Sequence, residues 1–259
     1  MRGGGENLKL LKGFTLSEVL ITLGIIGVVA ALTLPSLLAN IEEKRTVSQL
    51  QKAYSLLDEG FSLAINDLGT VDNWPADNSG YRSSYITNNI IPKYFKVAKY
   101  CPSGGGGTLK KPCLGFGYED LYKNRVNINN APSFALTNGM SIVVYGIPSA
   151  CTQNKNLTKV PLGSYNTACE TFFVDLNGSK GPNVASRDLF VFHLMQDGIV
   201  PAGSAKESIW TQKFVEQCLG KQLTNAGGGA YCTAWVLYNR NMDYMKCDDL
   251  SWENKTSCK

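Results

Sequence analysis

Gly13-Phe14-Thr15-Leu16-Ser17-Glu18 opens an apolar run that continues to Leu38. Residues 14–38 are almost wholly apolar and long enough to cross the hydrocarbon core of a bilayer as a helix. Lys9 and Lys12 precede the run, which predicts a cytoplasmic leader with the rest of the chain outside. One carboxylate, Glu18, interrupts the run near its start. At mid-bilayer a carboxylate costs roughly 2.5–3.5 kcal/mol on insertion scales, and less near an end. Glu18 reads either as a tolerated polar residue near the membrane surface or as a residue with a role. Pro35 lacks a backbone N–H and its ring crowds the preceding turn, which predicts a kinked or loosened helix there. A secretory signal peptide shares the basic start and apolar middle. Its cleavage site would be weak: Val29 and Ala31 could fit, but Pro35 and the unbroken run beyond favour retention. A plain signal anchor is the other alternative.

Beyond the run, Ile41-Glu42-Glu43-Lys44-Arg45 places charges at the outer surface. Val47, Leu50, Tyr54, Leu57, Phe61, Ile65 and Leu68 then recur at steps of three and four, the apolar face of a helix. The spacing predicts one long helix, first half in lipid and second half packed on a globular domain, stopping at Gly69. The seam is short for a free coiled coil.

Gly13, Phe14, Thr15, Leu16 and Glu18, the apolar stretch and Pro35 together resemble the N-terminus of type IV pilins and type II secretion pseudopilins. The resemblance covers Leu8 to about Leu68. It implies a leader over 1–13, a spine helix over 14–68 with its transmembrane part at about 14–38, and a globular domain over 69–259. It implies that a prepilin peptidase cuts after Gly13 and methylates the new amino terminus of Phe14. Glu18 then falls at the mature position that the family reserves for Glu, and Pro35 where family helices often kink. A pairing of Glu18 with the amino group of a neighbouring subunit's Phe14 is implied too, setting the register of assembly. The leader, with Arg2, Lys9 and Lys12 against Glu6, is longer than the shortest family leaders but compatible.

The segment from about Thr70 onward can build one core but hardly two. Thr70 to Ser84 reads as a loop leaving the helix. Ile86 to Tyr100, with a Pro at 92, reads as a short helix. Ser133 to Leu136, Thr137-Asn138-Gly139-Met140 and Ser141 to Tyr145 read as a β-hairpin around an Asn-Gly turn that needs positive φ. Thr171 to Val174 and Leu189 to Met195 are further strands, and Gln196-Asp197-Gly198 turns the chain before Ile199. Lys206 to Leu219 and Thr233 to Met245 are helical or irregular. Gly104 to Gly107 and Gly227 to Gly229 are loop runs. The predicted fold is α+β: the long helix packed on an antiparallel sheet of about four or five strands, with disulfide-bonded loops.

Eight cysteines, Cys101, Cys113, Cys151, Cys169, Cys218, Cys232, Cys247 and Cys258, all lie beyond the apolar run. Their even number and position suit a disulfide framework in an oxidising compartment. Eight cysteines allow 105 connectivities. Spacing favours neighbours: Cys101 with Cys113, Cys151 with Cys169, Cys218 with Cys232, Cys247 with Cys258. Each loop of this size gains about 3 kcal/mol in the chain-entropy model. Zinc is disfavoured, because no pair stands at knuckle spacing and the only histidine, His193, sits inside an apolar strand. A Cys247–Cys258 bridge would resemble the disulfide that closes a C-terminal loop in many pilins.

Asp175-Leu176-Asn177-Gly178-Ser179-Lys180-Gly181-Pro182-Asn183, with Asp188 beyond, resembles the start of a calcium loop, with Asp175, Asn177 and Asp188 as candidate ligands. Lys180 among them, and no acid at the twelfth position, weaken the match. Calcium binding in some pseudopilins keeps it open. The alternative is a β-turn in which Asp175 and Asn177 bond backbone amides. No catalytic set stands out, and His193 between Phe192 and Leu194 reads as a strand residue. The formal charge is +4, and the leader contributes three positive side chains and one negative, so +2 remains after its removal. That disfavours a nucleic-acid surface, though the Tyr- and Lys-bearing stretch Lys93 to Lys111 keeps one in view.

The expectation is a non-enzymatic structural subunit, minor or specialised, of a type IV pilus-like filament. Its partners would be the prepilin peptidase/methyltransferase, other pilin subunits, the inner membrane and the assembly machinery. It would begin as a single-pass inner-membrane precursor with a periplasmic globular domain, then enter a pilus or pseudopilus. The alternatives are a pseudopilin acting in protein export and a membrane-anchored binding domain that does not polymerise.

Overall fold

A computed structural model describes residues 13, 15–78, 80–102, 113–115, 117–126, 128, 131–146, 151, 168–203, 218–219 and 231–258. Residues 1–12 of the expected leader, Phe14, both glycine runs and most of Lys206 to Leu219 lie outside the described residues. The chain divides into two compact units, Met1–Glu42 and Glu43–Lys259.

A single helix, α1 (Leu16–Leu68), contributes to both units and contains Pro35. Its end follows from Gly69, which adopts φ +82 and whose N–H closes on Ile65 O at 2.8 Å. Glycine takes that left-handed conformation without the Cβ penalty, so the helix stops where the apolar face stops. Val47, Leu50, Ala53, Leu57, Phe61 and Ala64 form the buried face of the second half. Phe61 anchors it, 4.9 Å from the Phe172 ring and 5.3 Å from Phe95 by ring centroids. Gly60 leaves room for that approach, since a Cβ there would overlap the Phe95 ring.

After α1 the chain makes a 3₁₀ turn (Val71–Asn73), then α2 (Ser83–Tyr85), a π-type turn (Ile86–Ile90) and α3 (Ile91–Tyr94). The buried Arg82 guanidinium ties these together by donating to Val71 O and Asp72 O, both at 3.1 Å. Six strands follow as an antiparallel meander in the order β1 to β6. They are β1 (Val97–Cys101), β2 (Ser133–Leu136), β3 (Ser141–Tyr145), β4 (Glu170–Asp175), β5 (Leu189–Leu194) and β6 (Ile199–Pro201). This is the α+β architecture expected from the resemblance, with a sheet larger than the four or five strands predicted.

The helix expected over Ile86 to Tyr100 is corrected. Helical turns end at Tyr94, and Val97–Cys101 pairs with β2 as an edge strand. The β2–β3 hairpin turns at Asn138-Gly139, but only Gly139 has positive φ, at +88. Gly139 N–H returns to Leu136 O, and Leu136 N–H to Met140 O, which is a type I turn followed by a glycine bulge rather than a two-residue turn. Thr233 to Met245 resolves into α4 (Thr233–Asn239), a left-handed Arg240 at φ +54, and a 3₁₀ turn (Asp243–Met245).

The strands alternate inward and outward, yet β4 and β5 are buried along their whole length. One sheet face, with Phe134, Ile142, Phe172, Val174, Phe190 and Phe192, shares a core with α1 and Trp235 of α4. The opposite face, with Val143, Phe173, Leu189 and Val191, packs under Leu114, Tyr118, Ile128 and Ala202. Loops therefore cover the face that the helix does not, and disulfides hold them. The bridges join Cys101 to Cys113, Cys151 to Cys169, Cys218 to Cys232 and Cys247 to Cys258.

Candidate functional site

The start of α1 is built by a capping box. Thr15 stands before the first helical residue, and its Oγ1 accepts the Glu18 N–H at 3.2 Å. The Glu18 carboxylate reaches back, accepting the Thr15 N–H at 2.9 Å and the Thr15 hydroxyl at 2.8 Å. Two otherwise unsatisfied helix-start donors are thereby bonded reciprocally. Glu18 thus has a local structural task besides any in assembly. The Thr-x-x-Glu spacing of Thr15-Leu16-Ser17-Glu18 is the sequence signal for this box.

From Leu16 to Ile41 the large apolar side chains of the helix are exposed. Leu16 is 78% exposed, Ile26 63% and Leu32 76%. The helix is long and apolar enough to cross a membrane, and its most apolar 18-residue window holds no buried residue. A helix apolar on all sides suits lipid or other apolar helices and not water. Gly13 precedes the helix and Pro35 lies within it; Phe14 lies outside the described residues.

A second polar cluster joins the end of β4 to the turn before β5. Asp175 accepts the Asn177 N–H at 2.9 Å and the Tyr118 hydroxyl, whose own oxygen accepts the Gly115 N–H at 3.1 Å. Asp188 accepts the Val184 N–H at 2.6 Å, the Asn183 N–H at 2.8 Å and an Asn177 side-chain N–H at 3.2 Å. Burial pushes the Asp175 carboxyl up to about 7, against the lowering effect of its Tyr118 and Asn177 hydrogen bonds. Burial also raises Asp188 and Tyr118. Asp175, Asn177 and Asp188 are thus brought together, with their carboxylate oxygens taken up by protein donors as in an Asx-type turn. One buried acceptor, Asn177 Oδ1, has no hydrogen-bond partner among the described residues. Among the described residues no group of three or more His, Cys, Asp or Glu is placed to hold a metal ion. Tyr118 is the member that the sequence reading missed, because nothing local marks a partner 57 residues away.

His193 lies in β5, on the face covered by loops. Its Nδ1 is 3.0 Å from Thr171 Oγ1, its ring stacks 6.0 Å from Tyr231, and burial lowers its pKa to about 4. A neutral imidazole locked between strand and loop suits packing rather than proton transfer.

The C-terminal disulfide loop is held at its base by three charges. Glu43 accepts the Met242 N–H at 2.9 Å and a Lys246 ammonium N–H at 2.7 Å. Lys246 also donates to Asp243 at 3.0 Å, and Asp243 accepts the Cys258 N–H at 2.9 Å. The Glu43 hydrogen bond, with Asp243 adding to it, raises the Lys246 pKa further and keeps the ammonium charged. Cys247 and Cys258 close the loop above this base.

The chain is similar to Fimbrial protein EcpC of Eikenella corrodens, with 27% identity over 161 residues, 58% of this chain and 96% of that protein. No family model matches the chain. No solved structure matches it. The similarity and the long apolar N-terminal helix fit a pilin-like protein.

Proposed function

We propose that this chain is a structural subunit of a type IV pilus-like surface filament. The observation that carries the reading is the helix from Leu16 to Ile41, whose large apolar side chains are exposed at the head of a folded, disulfide-bonded domain. Such a helix is stable in a bilayer and equally stable among copies of itself, so one segment serves for storage and for assembly. Similarity to nearly the whole length of a fimbrial protein favours a pilus over a secretion pseudopilus. In this reading the precursor sits in the inner membrane with its globular domain outside, where disulfides form. A prepilin peptidase cuts after Gly13 and methylates Phe14, and assembly machinery extracts the mature chain. The role is structural rather than enzymatic, and the size of the globular domain favours a minor or specialised subunit.

The test is N-terminal peptide and intact-mass analysis of the protein from its own host, paired with a Glu18→Ala variant. A mature chain starting at methylated Phe14, with the variant processed but poorly incorporated into sheared filaments, supports the proposal. A start at Met1 or a cut after Ala31 refutes it. Indifference of the protein's surface display to Glu18→Ala points instead to an anchored domain that does not polymerise.

A further inference from the structure

Asn-x-Ser/Thr, with x other than Pro, is the tripeptide that N-linked glycosylation takes as its acceptor. The sequence holds it three times, as Asn156-Leu157-Thr158, Asn177-Gly178-Ser179 and Asn254-Lys255-Thr256. The first lies outside the described residues. The second is closed by its own hydrogen bonds. Asn177 Nδ2, the atom that would take the sugar, donates to Asp188 Oδ2 at 3.2 Å and to Gly181 O at 3.3 Å. A sugar there would cost both bonds and crowd the buried Asp175 and Asp188.

In the third tripeptide the acceptor is left available. Ser251 and Lys255 form an antiparallel bridge, Ser251 N–H donating to Lys255 O at 2.9 Å, and Trp252, Glu253 and Asn254 turn the chain between them. Ser251 Oγ accepts the Asn254 N–H at 2.9 Å and the Lys255 N–H at 3.3 Å, as a turn serine does. These bonds fix the turn through its backbone and leave the Asn254 side chain out. Its amide makes no hydrogen bond among the described residues. Asn254 and Thr256, the two residues that the tripeptide requires, are exposed. Lys255 between them is engaged by Asp249 at 2.6 Å. The Cys247–Cys258 bridge encloses the turn, so the acceptor is presented on a covalently closed loop.

Aromatic surface lies beside this turn. Trp252, two residues before Asn254, packs 5.1 Å from the Trp235 ring and 6.1 Å from the Tyr238 ring by centroids. Tyr238, on α4, is 65% exposed. A pyranose has an apolar C–H face and a polar rim, so a sugar on Asn254 has aromatic rings to lie against and water for its hydroxyls.

We infer that Asn254 is a site of N-linked glycosylation. Asn254 Nδ2 bonds to the anomeric carbon of a sugar, the bond from that carbon to a diphosphate leaving group breaks, and Nδ2 gives up one proton to a base of the transferase. The donor is a diphosphate-activated sugar, carried either on a nucleotide or on a lipid. The inference does not depend on the filament reading. It would be tested by mass spectrometry of the full chain isolated from its own host, with fragmentation that places any adduct on a residue. The peptide holding Asn254 should carry a sugar on that residue. Asn254→Gln should abolish the adduct. Thr256→Ala should abolish it as well, although Asn254 remains, and Thr256→Ser should keep it. Each variant should melt as the unmodified chain does, because Ser251 and the backbone hold the turn. A sugar already present when export is blocked marks a nucleotide-linked donor, and one gained only after export marks a lipid-linked donor; either result supports the site. A bare Asn254 in both membrane and sheared surface material, a sugar on a serine or threonine hydroxyl instead, or an adduct that persists in Thr256→Ala would overturn it.

Discussion

Asp175 is where burial and charge conflict most directly. Burial beside Asp188 holds its carboxyl near 7, whereas an Asp in an unfolded chain titrates near 4. The folded state therefore holds the proton more tightly than the unfolded state. The sign follows: this group's stabilisation is complete below about pH 4 and is lost as pH rises through about 7. Urea midpoints of the native protein should fall between these limits, and Asp175→Asn, which has no proton to lose, should flatten that fall. A parallel slope in the variant would rule Asp175 out as the source. Gly178, three residues on, has φ +70, and a Cβ there would stand 2.8 Å from Gly139 O. Gly178→Ala should thus cost about 1–3 kcal/mol, against a change within about 0.5 kcal/mol for Gly198→Ala, where the added Cβ meets nothing within 4 Å. Thermal melts of the two variants compare them directly. The Asn177-Gly178 turn was legible in sequence because a turn is local. The Tyr118 hydroxyl on Asp175 was not, because it depends on a loop folding over the far face of the sheet.

Among the elements, α1 and the central hairpin declare themselves through their periods, and the edges do not. The face Val47, Leu50, Leu57 and Phe61 could be read at helical spacing because one side is core and the other, with Lys52, Ser55, Glu59 and Ser62, is exposed. β1 was misread because Val97–Cys101 is a short edge strand with only one of its five residues buried and a register shift between Val97 and Lys99, leaving little alternation to see. The β4 and β5 strands read as plain apolar runs, and only their burial on both faces explains why. The contact of the C-terminal loop with α1 was equally hidden, since Glu43 meets Lys246 at a sequence distance of 203. That contact predicts its own test. Glu43→Ala removes the acceptor of both the Met242 amide and the Lys246 ammonium. With Lys246 about half exposed, the loss should be about 1–2 kcal/mol, a fall of roughly 2–8 °C in Tm for a domain of this size. Glu43→Gln should recover part of it, because the amide oxygen can still accept the Met242 N–H and a Lys246 N–H while the charge is lost. A full loss in both variants would mean that the charge pair, and not the hydrogen bonds alone, holds the loop.

At the scale of the whole molecule, lipid-suited and water-suited chemistry divide at one point in the chain. Every core residue named above lies within Glu43–Lys259, as do all four disulfides. The described residues of Met1–Glu42 supply exposed apolar side chains, and none of them belongs to those cores. Folding energy and assembly energy are therefore carried by different parts of the sequence. A chain beginning at Glu43 should fold in an oxidising compartment into a soluble monomer. It should melt cooperatively and show no free thiol to alkylation, whereas the full chain should require detergent or membrane. The truncated chain should also lack the exposed apolar side chains from Leu16 to Ile41, so it should not self-associate in sedimentation at micromolar concentration. Aggregation of the truncated chain, or thiols that react without denaturant, would show that the N-terminal segment contributes to folding and not only to assembly. A soluble monomer that blocks growth of filaments by the full chain, when supplied in excess outside the cell, would place the globular unit's own surface among the assembly contacts.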